Sequence, residues 1–413
     1  VTKRAVKATI KPELRVSRLQ TPVKPAFFMG ANHREYRLNY QMITEDAALK
    51  AACDEARNAP AIALDTEFVR TRTYYPQLGL IQMFDGETVV LIDPLAITDW
   101  RPFKELMLDK NVTKYLHAGS EDLEVFLNTF GKLPEPLIDT QILAAFCGRP
   151  MSWGFAAMVE EFTGIAIDKS ESRTDWLARP LTERQCDYAA ADVWYLLPIA
   201  IKLLAETDTS GWLPAALDEC RLMQQRRQEV VDPTEAWRDI TNAWQLRTRQ
   251  LACLKLLAEW RLRKARDRDM AVNFVVREEH LWAVARYMPG SMGELDSLGL
   301  SGSEIRFHGK TLLSLVEKAK ELPEEALPEP LLNLMDMPGY RTLFKEIKAL
   351  VQDVSKEKGV SVELMASRRQ INQLLNWHWQ LKPQSGLPEL VSGWRGEMMA
   401  ESLKALLEKY PRV

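Results

Sequence analysis

The stretch AIALDTEFVR, residues 61–70, reads as a β-strand that carries two acids where a buried strand would be wholly apolar. Successive strand side chains alternate faces. Asp65 and Glu67 therefore share one face, and Leu64, Thr66 and Phe68 the other. Two carboxylates on one face of such a strand are costly without a partner, and a metal ion supplies one. Downstream, LGLIQMF (78–84), an Asp85-Gly86 turn and TVVLID (88–93) give a hairpin signal. Upstream, NYQMI (39–43) reads as a strand, Thr44 as a helix N-cap and the Ala-rich run after it as a helix. VTKYLHA (112–118) is a strand that leads through Gly119 into the helix SEDLEVFLNTF (120–130). LPEPLIDTQILAAFCG (133–148) is a strand end turning into a helix, and 181–206 reads helical. Strands first, then strands alternating with helices, predict an α/β domain over residues 38–208.

Three further side chains bear on the chemistry. Ser120 reads as an N-cap, which puts Asp122 in the first turn of its helix, where a carboxylate also meets the helix dipole favourably. Tyr188 and Asp192 are four residues apart and share a helix face. Asp65, Glu67, Asp122 and Asp192 can together bind two hard divalent cations, which is what in-line cleavage of a phosphodiester requires. A phenol with an ordinary pKa of about 10 is a poor general base, so Tyr188 suits the orienting of a water.

From Leu213 onward strand signals fade. LPAALDECRLMQQRRQEVV (213–231) reads as a helix stopped at Asp232-Pro233. The run 258–286 is similar to 347–375, and 293–319 to 387–410. Two copies of a small helical module follow from that repeat. The expected division is a connector over 209–246 and modules over 247–326 and 327–413. WRLRKARDRD (260–269) clusters Arg261, Arg263, Lys264, Arg266 and Arg268, several of which can line one face toward phosphates. Trp377 and Trp379 read as core, with stacking on nucleic acid as the other reading.

Composition narrows the classes. The 413 residues are 46% hydrophobic and 27% charged, which is ordinary for a soluble chain of two or three domains. Residues 1–37 hold nine Lys/Arg against two Glu, and the remainder holds 45 basic against 55 acidic residues. Any polyanion must therefore be held by local basic faces and metal ions, since bulk charge cannot do it. Five cysteines without a C-x-x-C pair exclude a disulfide framework and point to a reducing cytosol. No run in the sequence reads as a membrane span, and the N-terminus lacks the apolar core of a secretory signal.

Taken together the motifs resemble the DEDD exonuclease superfamily, whose fold is a ribonuclease-H-like (DnaQ-like) α/β domain with a mixed sheet. Asp65-x-Glu67 looks like its first motif, Asp122 its second and Tyr188-x-x-x-Asp192 its third, with tyrosine marking the DEDDy branch. LDTEFVRTRTYYPQLGLIQ (64–82), LHAGSEDLEVF (116–126), PLIDTQILAAF (136–146) and LTERQCDYAAADVWYL (181–196) are similar to the ribonuclease D family within that branch. The repeated module resembles HRDC domains. The resemblance implies a 3′–5′ exoribonuclease that trims precursor tRNAs and other small RNAs to release 5′-mononucleotides. It implies two divalent ions, Mg2+ or Mn2+, one on Asp65, Glu67 and Asp192 and the other on Asp65 with Asp122. Thr66 and Phe68 are expected to hold the terminal nucleotide, His117 to line the substrate site, and Asp139 to play a supporting part. RNA with a free 3′ end is the expected partner, and the chain is expected to be a cytoplasmic monomer.

Two rivals stand beside this reading. A DNA exonuclease of the same superfamily would use the same carboxylates, with discrimination resting on contacts to the 2′-OH. A catalytically silent RNA-binding scaffold would have no use for four desolvated acids. Residues 1–37, a basic extension expected to be disordered, match nothing in the family, whose likeness starts at LNYQMI. The expectation is that native translation begins at the codon for Leu38. A native mass that includes residues 1–37 would refute it.

Overall fold

A six-stranded mixed sheet organises the first half of the chain in this computed structural model, which describes residues 38–382 and 386–410. The expected disorder of residues 1–37 lies outside the described residues. The strands are β1 (Tyr40–Ile43), β2 (Ala61–Val69), β3 (Gln77–Phe84), β4 (Val89–Ile92), β5 (Thr113–Leu116) and β6 (Leu137–Asp139). Their order is β1-β4-β3-β2-β5-β6. β2 and β3, like β3 and β4, pair antiparallel, and the outer pairs are parallel. The hairpin turn is the one read from Asp85-Gly86: the Asp85 carboxylate accepts from the backbone N–H of Glu87 and Thr88, a turn geometry that aspartate side chains favour.

Alternation along β2 divides the molecule. Ile62 and Leu64 face a core shared with α1 (Asp46–Ala56), α2 (Arg101–Leu108) and α3 (Ser120–Phe130). Ala61 and Ala63 face the opposite core, built with α4 (Thr140–Phe146), α5 (Phe155–Thr163) and the long α6 (Glu183–Thr209). Asp65 and Glu67 continue the α6 face, as strand periodicity requires. Among the described residues only α6 is long and apolar enough to cross a membrane, and 56% of its apolar window is buried inside the protein. It is a core helix laid across β2, β3 and β4. Thr44 does not cap α1. The N-cap position is Glu45, without a side-chain cap. The first turn is instead tied by Asp46, which accepts from Thr98 and from the Asp99 backbone.

The two helical modules repeat one plan and are attached differently. The first comprises α8 (Thr248–Asp267), α9 (Val272–Val275), α10 (Glu278–Tyr287), α11 (Met292–Ser297) and α12 (Gly302–Glu321) around its own core. The second comprises α13 (Tyr340–Lys358), α14 (Val362–Met365), α15 (Arg368–His378), a 3-10 turn at Glu389–Val391 and α16 (Gly393–Leu407). Its core is continuous with the α6 side of the sheet. Phe146, Trp212 and Trp394 join the two with ring centroids 5.2–6.4 Å apart. The buried pair Arg395–Glu219 and the pair Arg226–Glu389 close the seam on helix α7 (Leu213–Gln228). Trp379 is core, 3% exposed.

The first module touches the exonuclease-like half through the loop after β2. Ala271 N–H donates to the Arg72 carbonyl (2.7 Å), Tyr75 N–H to Asp269 (2.9 Å), and Arg266 to the Tyr74 hydroxyl (3.2 Å). This breaks up the basic cluster read from WRLRKARDRD. Arg261 is buried and donates to the Val276 carbonyl, and Arg266 is spent on Tyr74. Arg263 pairs with Glu259 on the same helix, so of the five cations Lys264 and Arg268, four apart and on one face, are the ones left for phosphates.

Candidate active site

Asp65, Glu67 and Asp192 each offer an oxygen, and these oxygens lie within 4.8 Å of one another. β2 supplies the first two and α6 the third. α6 starts at a capping box in which Thr182 and Gln185 satisfy each other's backbone N–H. Ala189, Ala190 and Val193 then seat it on the sheet. Tyr188 and Asp192, one turn apart, meet through a side-chain hydrogen bond in which the phenol donates.

Asp122 arrives from the other side of the sheet. It stands in the first turn of α3, 7% exposed, and takes a hydrogen bond from the Thr66 hydroxyl. Its charge still acts on Asp65, Glu67 and Asp192. The loop that delivers it is clamped by Asp139, whose carboxylate accepts from Gly119 N–H (2.8 Å) and Ala118 N–H (3.3 Å) while capping α4 at Gln141 (2.8 Å). Ala118 holds a left-handed φ of 53° there, and a Cβ on residue 119 would sit 2.8 Å from that of Leu116, so glycine is required. Arg227 on α7 binds Ser120 and Glu124 and fixes the same helical turn.

Burial and mutual repulsion set the electrostatics. Two unit charges 4.8 Å apart repel by about 3–4 kcal/mol at an effective dielectric near 20. Burial is the largest cause at each acid. With the neighbouring carboxylates it pushes Glu67 up to about 9, Asp192 to about 8 and Asp122 to about 6. Asp65, acted on by all three others, is pushed well above the carboxylate range. Gln82, fully buried and in register with Asp65, offsets part of the rise at Glu67. Burial and the same charges push the Tyr188 phenol far up, so it keeps its proton and serves as a donor. An all-oxygen set this crowded fits hard divalent cations.

A cavity of about 190 Å³ opens beside these groups, lined among others by Asp65, His117, Phe155, Lys169, Tyr188 and Asp192. It is smaller than the roughly 300–1,000 Å³ of drug-sized ligand sites, too narrow to take in a duplex end. His117 lines it, with ring nitrogens engaged by Thr140 and the Trp153 carbonyl at 2.9 Å each. Burial pushes its pKa down. Thr66 and Phe68 do not line it. They occupy the alternate face of β2, Thr66 against Asp122 and Phe68 against the α3-side core. The sequence reading missed Lys169 and Ser172, which sit in a loop with no periodicity, and Gln82, whose signal was a lone amide in an apolar strand.

The loop before α6 is pinned at a bulge. β3 skips Gly79 where Glu67 pairs Leu80 and Phe68 pairs Leu78. A Cβ there would meet the Trp176 carbonyl oxygen at 2.6 Å. Trp176, 1% exposed, packs on that glycine and against the Tyr188 ring, centroids 6.1 Å apart. Arg179 binds the Gly79 carbonyl at 2.7 Å and pairs with Asp93.

The mixed sheet, with Asp65 and Glu67 of β2 meeting Asp192 of α6, is that of a 3′–5′ exonuclease domain. The 3′–5′ exonuclease family matches residues 40–208, the HRDC domain family 250–316 and the ribonuclease D C-terminal HRDC family 338–403. The Escherichia coli (strain K12) protein Ribonuclease D is 78% identical over 375 residues, 91% of this chain and the whole of that protein. The Ribonuclease D of Cronobacter turicensis is 74% identical over 369 residues, 89% of this chain and all of that one. The crystal structure of Escherichia coli RNase D, described as an exoribonuclease involved in structured RNA processing, superimposes with a TM-score of 0.90 over 91% of this chain and 100% of that one. The chain belongs to the ribonuclease D family, the 3′–5′ exoribonucleases.

Proposed function

We propose that this exoribonuclease trims the 3′ ends of precursor tRNAs and other small structured RNAs in the cytoplasm, as a monomer, releasing 5′-mononucleotides. The observation that carries the reading is the convergence of Asp65, Glu67 and Asp192 within 4.8 Å beside an open cavity that Asp65, Tyr188 and Asp192 line. Asp65, Glu67 and Asp192 would hold one Mg2+ or Mn2+ ion, and Asp65 with Asp122 a second. Ions there supply positive charge that acidifies a water and offsets charge on the leaving 3′ oxygen. Tyr188, protonated and tied to Asp192, orients the attacking water. Asp139, Arg227 and Thr66 hold Asp122 in place. Lys169 brings the one cationic side chain among the residues lining the cavity and meets the terminal phosphate. The likeness to an enzyme of structured RNA supports the substrate class. The chain would divide into an exonuclease domain over 38–208, a connector to 246 and HRDC modules over 247–326 and 327–413, and the matches to an exonuclease and two HRDC families support that division.

A time course on a 3′-extended tRNA with Mg2+ is the test. Mononucleotide release that stops with EDTA is the expected result. Equal digestion of a matched DNA oligomer would favour the DNA exonuclease, and no release at all would favour the silent scaffold.

A further inference from the structure

On the first helical module three rings run in a row across α8 and α12. Trp260 stands edge-on to His308 with centroids 5.4 Å apart, and His308 lies 6.4 Å from Phe307. The Arg306 guanidinium covers Phe307 at 4.5 Å. Phe307 is 66% exposed, and Arg306 is exposed with no carboxylate partner among the described residues. Lys264, one turn along α8 from Trp260, adds charge to the row and is close enough to act on His308. Burial first and Lys264 second push His308 down, which keeps the imidazole neutral and suited to stacking.

The second module differs. Its Arg395 and Arg369 are spent on Glu219 and Glu389 in the seam with α7, and its core is closed against the sheet. The first module keeps its own core. It is tied to the loop that continues β2, the strand of Asp65 and Glu67, through Arg266 and Asp269, so α8, which carries Trp260 and Lys264, is joined directly to the strand of the acids. Beyond residue 37 the chain is net acidic, so an aromatic row flanked by unpaired cations is a local feature of opposite sign. It matches a partner with flat rings and a phosphate backbone.

We propose that Trp260, His308 and Phe307, with Arg306 and Lys264, form a binding surface for unpaired RNA bases upstream of the 3′ end being trimmed. Bases stack on the rings, and Arg306 and Lys264 meet the adjoining phosphates. The inference rests on the exoribonuclease reading and adds where the body of the RNA is held.

The test is fluorescence anisotropy of the full chain in EDTA with a labelled stem-loop RNA bearing a long single-stranded 3′ tail. Turnover of a trinucleotide, which has no upstream body to hold, is followed in parallel with Mg2+. Phe307→Ala is expected to weaken binding roughly ten-fold. Arg306→Gln with Lys264→Gln is expected to lower the salt slope by about 1.4, at about 0.7 per phosphate lost on a single strand. Both variants keep wild-type kcat on the trinucleotide, and Arg341→Gln with Lys345→Gln on the second module leaves RNA affinity unchanged. Wild-type affinity in Phe307→Ala overturns the inference while leaving the exoribonuclease reading intact, and so does a loss confined to the second-module variant. A concentration-dependent dimer that Phe307→Ala abolishes, with RNA affinity unchanged, overturns it in favour of self-association. Failure of the wild type to release mononucleotides from the trinucleotide strikes the exoribonuclease reading itself.

Discussion

Asp65→Asn is expected to lower RNA turnover by about 10³-fold or more while raising the thermal midpoint of the chelated protein. The two effects have one origin. Asp65 sits at the centre of the acids, and Asp122, Asp192 and Glu67 all act on it. Its oxygen belongs to the group that converges within 4.8 Å. Losing a ligand that both expected ions share removes several kcal/mol of charge stabilisation in the transition state, and each 1.36 kcal/mol is a factor of ten. The folded protein without metal instead carries a buried cluster of acids whose ionisation burial and one another's charge oppose. Burial and the neighbouring acids push Asp65 well above the carboxylate range, so without metal the folded state must take up a proton there that the unfolded chain has released. Asparagine keeps the shape and removes that cost, an instance of function maintained against stability. Single-turnover kinetics on RNA with Mg2+ and calorimetry in EDTA measure the two halves. Full activity would remove Asp65 from the site. A fall in the EDTA midpoint would mean its carboxylate supports the fold.

The parts legible in the sequence were those governed by a fixed period. Alternation along AIALDTEFVR placed Asp65 and Glu67 together, and four-residue spacing placed Tyr188 beside Asp192; both relations hold in space. The Asp85-Gly86 hairpin and the helical repeat were legible for the same reason. α9 and α14, or α10 and α15, are matching elements of matching length.

What no local pattern could show was what depends on packing between distant segments. Asp122 comes from the helix that follows β5, the strand beside β2, and takes the Thr66 hydroxyl, so the same alternation that set Asp65 on the α6 face turned Thr66 toward Asp122. Arg261 looked like one cation among five, but it fills a carbonyl site inside its module. Burying such a stem is favourable once its charged head finds a partner, and no local pattern reveals that partner. The shared core of the second module and the sheet comes from Phe146, Trp212 and Trp394, residues far apart in sequence with no spacing rule between them.

Mn2+ is expected to raise the thermal midpoint far more at pH 8 than at pH 5. Unfolded carboxylates titrate near 4, whereas the folded site holds protons up to about 6 at Asp122, 8 at Asp192 and 9 at Glu67. Between those limits the folded state binds more protons than the unfolded one. Stability in EDTA therefore falls as pH rises from about 4 to about 9, the sign opposite to that of an ion-paired acid. Glu389 shows the ordinary case. Hydrogen bonds from Arg226, Gln370 and Arg369 outweigh its burial and hold it near 2, so its contribution is lost only as pH falls below about 4. Buried Lys114, pushed down to about 7, opposes the trend above that pH, which is why the informative quantity is the difference between Mn2+ and EDTA at each pH: a group remote from the site cancels. Metal binding requires deprotonated ligands. At pH 5 the ion must displace protons from Asp122, Asp192 and Glu67 alike, whereas at pH 8 Asp122 is ionised, Asp192 is at its midpoint and Glu67 is within about one unit of its own, so far less proton displacement opposes binding. A free ion at a hundred times its dissociation constant adds about 2.7 kcal/mol, and competition with protons erodes that as pH falls. Equal Mn2+ shifts at pH 5 and pH 8, or an undiminished shift at pH 8 in Asp192→Asn, would place the ion somewhere other than on these acids.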